Sequence, residues 1–385
     1  MDFSLNDDQR AFADSARALM ADFCTDAALR AHDQGDEPYM HALWQQCIAS
    51  GLHGIVVPEA HGGLGLGATE LMAVLLEQGR ALGLVPLAEQ QLAAATLARF
   101  GQPALQAELT RIVSGQTLVT LALDDLHASR DLVVLARRDG DALLLDGVTG
   151  AVPLAAESSA CLLPVRLGDR LQLLYLDLGA PGLSLAIGRS QHHLSVAALR
   201  LNGVRVPATA LLEAAALDWL EPRAVAAVAS LQLGVSAGQL ARTVEYVGQR
   251  KQFGRVVGSF QLVAGQMADA QIAVEALRSA LAQLVYRLDA GLGAAPQALA
   301  VKVLAAQAAH AVGHKAQHVH GGIGVDLTYP IHRYLYWSRA LAARLGGTEA
   351  ALARLGEWLA SDERLGWKYD LPEDLGDTCG ASHAV

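Results

Sequence analysis

The segment GVSAG, residues 234–238, has the spacing of a hydrolase nucleophile elbow, with Ser236 in the position of the nucleophile. Such an elbow needs a preceding strand and a sharp, strained turn that exposes the serine. Here the segment lies inside AVAAVASLQLGVSAGQLARTVEYV, a run of small residues that is typical of one helix. Close helix packing at the glycines is therefore favoured over hydrolysis.

A second segment, GGLGLG at residues 62–67, resembles a phosphate-binding glycine loop. A dinucleotide-binding loop also requires a βαβ unit and an acidic residue about twenty positions later. The flanking segments have helical patterns, and Pro58 interrupts the approach. The sequence therefore favours a plain loop between helices.

Histidines recur at helical spacing, with His310, His314 and His318 at i, i+4 and i+8 and His320 just beyond. Two histidines four residues apart can chelate zinc from one helical face. However, no HExxH glutamate accompanies them, and no cysteine lies nearby. We therefore predict a polar helix face near a binding site rather than a metal site.

The most informative segment is YVGQRKQFGRVVGSFQLVAGQMAD, from Tyr246 to Asp269. Gly254 permits a break between helices, while Arg250 and Gln252 offer fixed donors for an anionic or polar ligand. A helix–helix corner with a surface arginine is the alternative that the residues alone leave open.

Hydrophobic patterning predicts the elements that must position these residues. Helical spacing follows an N-cap at Ser4 and continues to about residue 116. Short Leu/Val runs then indicate strands, with a hairpin at Asp139-Gly140. From Trp219 onward the pattern is helical again. Two apolar stripes mark later helices, one with Leu277, Leu281, Leu284 and Leu288 and one with Leu352, Leu355 and Leu359.

The predicted fold class is α+β, and 385 residues are enough for two or three structural domains. The patterns predict an N-terminal α-helical domain (1–116), a middle β-domain (117–212), a C-terminal four-helix bundle (213–362) and a polar tail (363–385).

Composition excludes several classes of partner. The net charge of -10, without a polybasic run, argues against nucleic acid and anionic membranes. No run of about 18 apolar residues occurs, so no membrane span is predicted. The cysteines lack framework spacing and are expected to be reduced: Cys24, Cys47, Cys161 and Cys379. With an acidic start that is unlike a signal peptide, these features predict a cytoplasmic location.

The segment from Tyr246 to Asp269 closely resembles the signature of the acyl-CoA dehydrogenase family. HGGIGVDLTYPIHRYLYW (320–337) and VPEAHGGLGLG (57–67) resemble other stretches of the same family. The resemblance covers nearly the whole chain, and the predicted order of helices, strands and helices agrees with it. It implies the acyl-CoA dehydrogenase fold.

The resemblance also implies a flavoenzyme with FAD shared across a subunit interface. One subunit holds the flavin ring and the acyl thioester, and its neighbour holds the adenosine and pyrophosphate. A glutamate removes the α-proton while the β-hydrogen leaves as hydride to the flavin, and the thioester carbonyl is polarised by hydrogen bonds. Electrons then pass to an electron-transfer flavoprotein. The residues that match the neighbour's FAD-binding half are Arg250, Gln252, Phe253, Gln261, His318, Gly321 and Gly322.

The sequence departs from the family at the catalytic base. The family glutamate precedes a Gly-Thr pair, but LGGTEAALARLG has Gly346 in its place. A minority of the family places the base 26 residues before the signature arginine, which is Ala224 here. Glu221, about one turn earlier, is a weak candidate for a substitute, and an ordinary helix-start glutamate is the alternative. No catalytic residue is predicted in this chain.

The flavin-facing half departs as well. The family's Thr-Glu-Pro-x-x-Gly-Ser-Asp stretch is matched only in kind, by Asp124 and Ser129. Its Gly-x-Lys-x-Trp-Ile-Thr stretch falls on residues 147–153, where Ala151 replaces tryptophan and Pro153 replaces threonine. Proline has no amide hydrogen to donate to a flavin. The flavin-facing half is therefore predicted to have lost the residues that bind the flavin ring.

The residues of the flavin-facing half are therefore lost, while those of the neighbour's FAD-binding half are kept. The exception is His318, at a position where glutamine is usual. The chain thus resembles the non-catalytic subunits of heterotetrameric steroid side-chain acyl-CoA dehydrogenases. We expect a chain that contributes FAD contacts to a catalytic partner, in an α2β2 assembly acting on a bulky steroid-derived acyl-CoA. The alternatives are a self-sufficient homotetramer with an atypically placed base and a flavin-free structural partner.

Overall fold

The fold is taken from a computed structural model that describes residues 4–127 and 133–361. Ser129, Cys379 and the predicted polar tail lie outside the described residues. The N-terminal region forms these helices: α1 (Asp7–Phe23), α2 (Asp26–Gln34), α3 (His41–Ala49), α4 (Ala68–Ala81), α5 (Leu87–Phe100) and α6 (Gln106–Val113).

The prediction that Ser4 caps the first helix is wrong. Asn6 is the cap, because its side chain accepts from the amide of Gln9 at 2.8 Å and its own amide donates to the Gln9 side chain at 3.0 Å. This reciprocal pair is a capping box, and it satisfies two amides that would otherwise have no partner.

The middle of the chain forms a sheet in the order β1-β4-β2-β3-β7-β6, with β5 paired to β4. Its strands are β1 (Val119–Leu121), β2 (Val134–Asp139), β3 (Ala142–Pro153), β4 (Ala160–Leu167), β5 (Arg170–Asp177), β6 (Leu183–Arg189) and β7 (Ser195–Pro207). The predicted hairpin is present, but its turn lies one residue further on than Asp139-Gly140, because Asp139 pairs with Ala142 and the turn residues are Gly140, at φ 64°, and Asp141. The β3–β7 register shifts between Thr149 and Val152.

The C-terminal region is helical again, with α7 (Ala216–Gln249), α8 (Gln261–Asp289), α9 (Ala295–His320), α10 (Ile331–Ala343) and α11 (Gly347–Ser361). A two-stranded hairpin, β8 (Lys251–Gln252) and β9 (Arg255–Val256), joins α7 to α8. Short 3₁₀ turns lie at Glu59–His61, Pro103–Leu105, Ala208–Ala210, Val257–Ser259 and Gly321–Val325.

The helices α7 to α10 pack as the predicted bundle, and α11 packs against α9. The stripe from Leu277 to Leu288 is buried on α8, as predicted. The α+β class is therefore confirmed. GVSAG lies within α7, where a Cβ on Gly234 would come within 2.0 Å of the Leu76 carbonyl oxygen of α4. This confirms the close helix packing.

GGLGLG is confirmed as a plain loop before α4. In the described part of the chain, α7 is also the one helix that is long and apolar enough to cross a membrane. Within its most apolar window, 89% of the residues are buried inside the protein, as in the core helix of a globular domain.

Candidate functional site

Three helix ends meet on one side of the bundle. Near the end of α7, Tyr246 stacks on His320 at the end of α9, with ring centroids 4.3 Å apart and an interplanar angle of 18°. His318 Nδ1 shares a 3.1 Å hydrogen bond with Gln266 Oε1, in the first turns of α8. These contacts bring the signature segment and the Gly-Gly turn together, although about 70 residues separate them in sequence.

The β8–β9 hairpin projects from this end. Its two central residues, Phe253 and Gly254, have positive φ values of 52° and 79°, as in a type I′ turn. This conformation costs an L-residue other than Gly roughly 1–2 kcal/mol. Phe253 is nevertheless 91% exposed. A strained residue with an exposed aromatic ring indicates a function at this position.

Polar groups at this end are available to a ligand. The Arg250 backbone is held by bonds to the Tyr246 carbonyl (2.9 Å) and from the Val257 amide (2.7 Å), while its side chain is exposed. Arg250 and Gln252 have no side-chain hydrogen-bond or ion-pair partner among the described residues. Gln317 Oε1 is buried and lacks a hydrogen-bond partner there.

The Gly-Gly turn adds open space to the same end. A Cβ on Gly321 or Gly322 would contact nothing within 4 Å. Exposed donors beside an open glycine turn fit an anionic dinucleotide such as the adenosine and pyrophosphate part of FAD. The residues of the predicted cross-interface half are therefore chemically suited to that group.

The predicted base position lies at the other side of the bundle. Gly346 has φ 81°, and a Cβ placed there would lie 3.4 Å from His127 Cβ. Ala224 is buried in the core. Glu221 accepts a 2.9 Å hydrogen bond from His127 Nε2 and another from Arg354. Burial would raise the pKa of Glu221, but the bonds and charges of His127 and Arg354 outweigh it and lower that pKa to about 2.

Strand β3 carries the positions that would face a flavin ring. Ala151 has φ 50°, at the register shift against β7. Pro153 has no amide hydrogen, and its carbonyl accepts from Thr120 Oγ1 at 2.6 Å. Asp124 is buried and paired with Arg344, and Ser129 lies outside the described residues. These residues do not fit a flavin ring.

The α9 histidines form a polar face. The rings of His310 and His314 are 4.2 Å apart and exposed. Within residues 4–127 and 133–361, no group of three or more His, Cys, Asp or Glu side chains is arranged to hold a metal ion.

Comparison with known proteins identifies the family. Residues 6–116 match the acyl-CoA dehydrogenase N-terminal domain, and residues 223–360 match the acyl-CoA dehydrogenase C-terminal domain. The acyl-CoA dehydrogenase FadE27 of Mycobacterium tuberculosis is 33% identical, over 94% of this chain and 99% of that protein. The chain belongs to the acyl-CoA dehydrogenase family. It is thus a member of a family of flavin-dependent oxidoreductases.

Solved structures agree with this assignment to the acyl-CoA dehydrogenases. The ChsE4-ChsE5 complex of Mycobacterium tuberculosis is similar with a TM-score of 0.89 and 33% identity, over 94% of this chain and 100% of that chain. A variant of the Tcur3481-Tcur3483 steroid acyl-CoA dehydrogenase gives a TM-score of 0.87 and 36% identity, over 93% of this chain and 99% of that chain.

Sequence reasoning missed several residues of this acyl-CoA dehydrogenase chain that surround Gly346. His127, Arg344 and Arg354 meet Glu221, Asp124 or Glu89 there. No motif marks them, because each pair is joined only through the tertiary fold. Tyr246 did carry a signal, as the aromatic residue that opens the signature segment.

Proposed function

We propose that this chain is the non-catalytic subunit of a hetero-oligomeric, FAD-dependent acyl-CoA dehydrogenase. It supplies cross-interface FAD contacts to a catalytic partner, which performs the α,β-dehydrogenation of an acyl-CoA thioester. The observation that carries this proposal is the contrast between the two halves of the chain. The α7–α8–α9 end offers an exposed dinucleotide-binding set, while Gly346 and Pro153 remove the base and a flavin-ring donor.

In the proposed complex, the α7–α8–α9 end lies against the partner's FAD. Arg250 and Gln252 donate hydrogen bonds to the pyrophosphate, and Phe253 packs against the partner. The remaining contacts come from Gln261, His318, Gly321 and Gly322. When bound, FAD supplies the hydride acceptor. An arginine–pyrophosphate contact is charge-assisted and worth about 1.5–3 kcal/mol.

The α-proton is removed by a carboxylate of the partner. A general base works best when its pKa lies near the working pH. The pKa of Glu221, about 2, is far below that range, and its carboxylate is already paired with His127 and Arg354. The alternative in which this chain works alone as a homotetramer with Glu221 as base is therefore less well supported.

Exposed apolar side chains support assembly with another subunit. Large apolar residues that cluster on a surface mark interaction sites. Exposed residues of this kind lie in the β8–β9 hairpin, on α8, in the segment after α9 and on α11: Phe253, Leu262, Ile272, Ile323, Val325, Leu327, Leu352 and Leu359. The partner is proposed to be an acyl-CoA dehydrogenase subunit of unlike sequence in an α2β2 tetramer, since two similar structures are complexes of paired proteins.

The substrate is proposed to be a bulky, steroid-derived acyl-CoA, because one of the similar structures is described as a steroid acyl-CoA dehydrogenase. Electrons are proposed to leave through an electron-transfer flavoprotein, as the family resemblance implies. The cytoplasmic location stays a prediction.

Flavin content tests the proposal. The chain purified alone should contain little FAD, and the chain co-expressed with a catalytic subunit should give a yellow complex that is reduced by acyl-CoA. A lone chain with near-stoichiometric FAD and activity would support the homotetramer instead. A complex that stays colourless would support a flavin-free structural partner.

A further inference from the structure

Residues 122–127 form a loop between β1 and the described start of the next strand, and we call it the plug loop. It lies between β3, which carries the flavin-facing positions, and the turn of residues 344–347 before α11. Asp124 bonds to the turn and Asp125 bonds to β3. His127 lies beside the turn and bonds to Glu221 of α7.

Asp124 holds the plug loop against the turn. Its backbone carbonyl accepts from the Gly346 amide at 2.9 Å, and its carboxylate accepts from the Leu345 amide at 3.0 Å. The same carboxylate accepts from Arg344 Nε at 2.8 Å, and Arg344 also donates to Glu89. The charged side chains of this set are buried or nearly so, with 8% of Asp124 and 14% of Arg344 exposed. A buried, paired network of this kind is costly to break.

Asp125 accepts hydrogen bonds from two donors of β3. Its Oδ2 accepts from Thr149 Oγ1 at 3.2 Å and from the Gly150 amide. Thr149 is buried, and a Cβ on Gly150 would lie 3.3 Å from the same carboxylate oxygen. Two donors of β3 at the register shift, the Thr149 hydroxyl and the Gly150 amide, are therefore already bonded within the chain.

His127 fills the remaining space beside Gly346. Its Cβ lies 3.4 Å from the ideal Cβ position of that residue, and its Nε2 donates to Glu221. The loop thus contacts α7 and the turn that leads into α11, in addition to β3.

We propose that the plug loop excludes the isoalloxazine ring of a flavin from this subunit's own β3 edge. Asp125 accepts from the Thr149 hydroxyl and the Gly150 amide, while Asp124 and His127 hold the loop in place. Together these residues prevent an isoalloxazine ring from binding at β3. The proposal rests on the proposed function, because it explains how a chain of this family stays folded without its own flavin. The site is filled by the chain itself rather than left open.

Amide hydrogen exchange of the co-expressed complex tests the proposal at Gly150. In the wild type this amide should be protected, and Asp125→Ala should speed its exchange roughly tenfold or more, since one hydrogen bond is lost. Asp125→Asn keeps an acceptor oxygen and should preserve most of the protection. Riboflavin near its solubility limit in water should slow the exchange again in Asp125→Ala and have no effect in the wild type.

Asp146→Ala is the matched control, because Asp146 Oδ1 accepts from the Gly203 amide at 2.7 Å elsewhere in the same sheet. It should speed exchange at Gly203 and leave Gly150 unchanged. Two results would overturn the exclusion of a flavin ring by the plug loop. One is fast exchange of the Gly150 amide in the wild type, and the other is a Gly150 amide in Asp125→Ala that riboflavin does not protect. Flavin content separates the exclusion by the plug loop from the proposed function. One FAD per pair of unlike subunits, with an unprotected Gly150 amide, contradicts only the role of the plug loop. Two FAD per pair contradict both proposals.

Discussion

Glu221 shows how neighbours decide what a carboxylate can do. It lies near Gly346, on the helix where part of the family carries its base, yet it is held between His127 and Arg354. A carboxylate with a pKa of about 2 is a weak proton acceptor at neutral pH. Its role in this chain is better explained as an ion pair that joins α7 to α11.

Removing the carboxylates of Glu221 and Glu349 should therefore leave catalysis by the complex intact. Glu221→Gln and Glu349→Gln should each keep single-turnover flavin reduction by acyl-CoA within a few-fold of wild type. Loss of a true general base slows a reaction by roughly a hundredfold or more. Such a slowing by either variant, with full flavin content, would make this subunit catalytic. Substitution of the partner's glutamate is the positive control.

Arg250 should matter for flavin retention. In Arg250→Ala, the complex should lose roughly ten- to a hundredfold in FAD affinity, because charge-assisted bonds to a pyrophosphate are removed. The melting temperature of this chain should change little, because the side chain is exposed. Arg278→Ala, an exposed arginine paired with Glu275 on α8, is the control and should leave FAD affinity unchanged. Equal FAD occupancy in all three proteins would contradict the assigned role.

At the scale of elements, a buried histidine joins the β6–β7 loop to α10. His192 is 6% exposed, packs edge-on against Trp337 at 4.9 Å and shares a 2.9 Å hydrogen bond with Ser190 Oγ. Burial, followed by the positive charge of Arg344 and by His193, lowers the pKa of His192 to about 3. The imidazole is therefore neutral in the folded protein at any pH near neutrality.

This depressed pKa predicts acid sensitivity. Below about pH 6.5 the unfolded histidine takes up a proton and the folded one does not, so stability falls as the pH drops towards 3. The contribution of His192 is roughly 1.4 kcal/mol per pH unit in that window. His192→Asn should flatten the decline of unfolding free energy between pH 6.5 and 4.5, measured by urea denaturation. The exposed control His310→Asn should keep the wild-type slope, and an equal slope in His192→Asn would refute the argument.

At the scale of the whole molecule, the strained turn of the β8–β9 hairpin presents an exposed aromatic ring, Phe253. Phe253 adopts a conformation that Asn tolerates better, and among the described residues its ring is 91% exposed and lies edge-on to Phe260, with centroids 6.2 Å apart. An aromatic anchor of this kind gains its contacts only at an interface.

Phe253→Asn should therefore act in opposite directions on the chain and on the complex. The lone chain should keep its stability or gain up to about 1 kcal/mol as strain is relieved. Assembly with the catalytic subunit should weaken by at least about tenfold, as expected for loss of a buried aromatic anchor. Denaturation of the lone chain and sedimentation of the mixture measure the two effects. Leu135→Asn, at an exposed leucine of β2, should change neither; unchanged assembly in Phe253→Asn would count against the interface.

Features that depend on residues close to one another in the sequence could be predicted from the sequence. The order of helices, strands and helices follows from hydrophobic spacing, and the α8 stripe from Leu277 to Leu288 is buried as predicted. The β2–β3 hairpin was expected at Asp139-Gly140, and its turn is formed by Gly140 and Asp141, one residue further on. The first cap was misplaced by two residues, since Ser4 and Asn6 are both able to cap and only the backbone chooses between them.

The lack of a carboxylate at position 346 could also be read from the sequence, because glycine carries no proton acceptor on its side chain wherever it lies. Only the tertiary structure decided what fills its surroundings. His127 meets Glu221 across 94 residues, and Arg344 meets Asp124 across 220. Such contacts depend on how a loop of the sheet approaches two helices, and no local propensity encodes that approach. The sequence by itself therefore determined that position 346 carries no carboxylate, and the fold determined that residues 122–127 lie beside it.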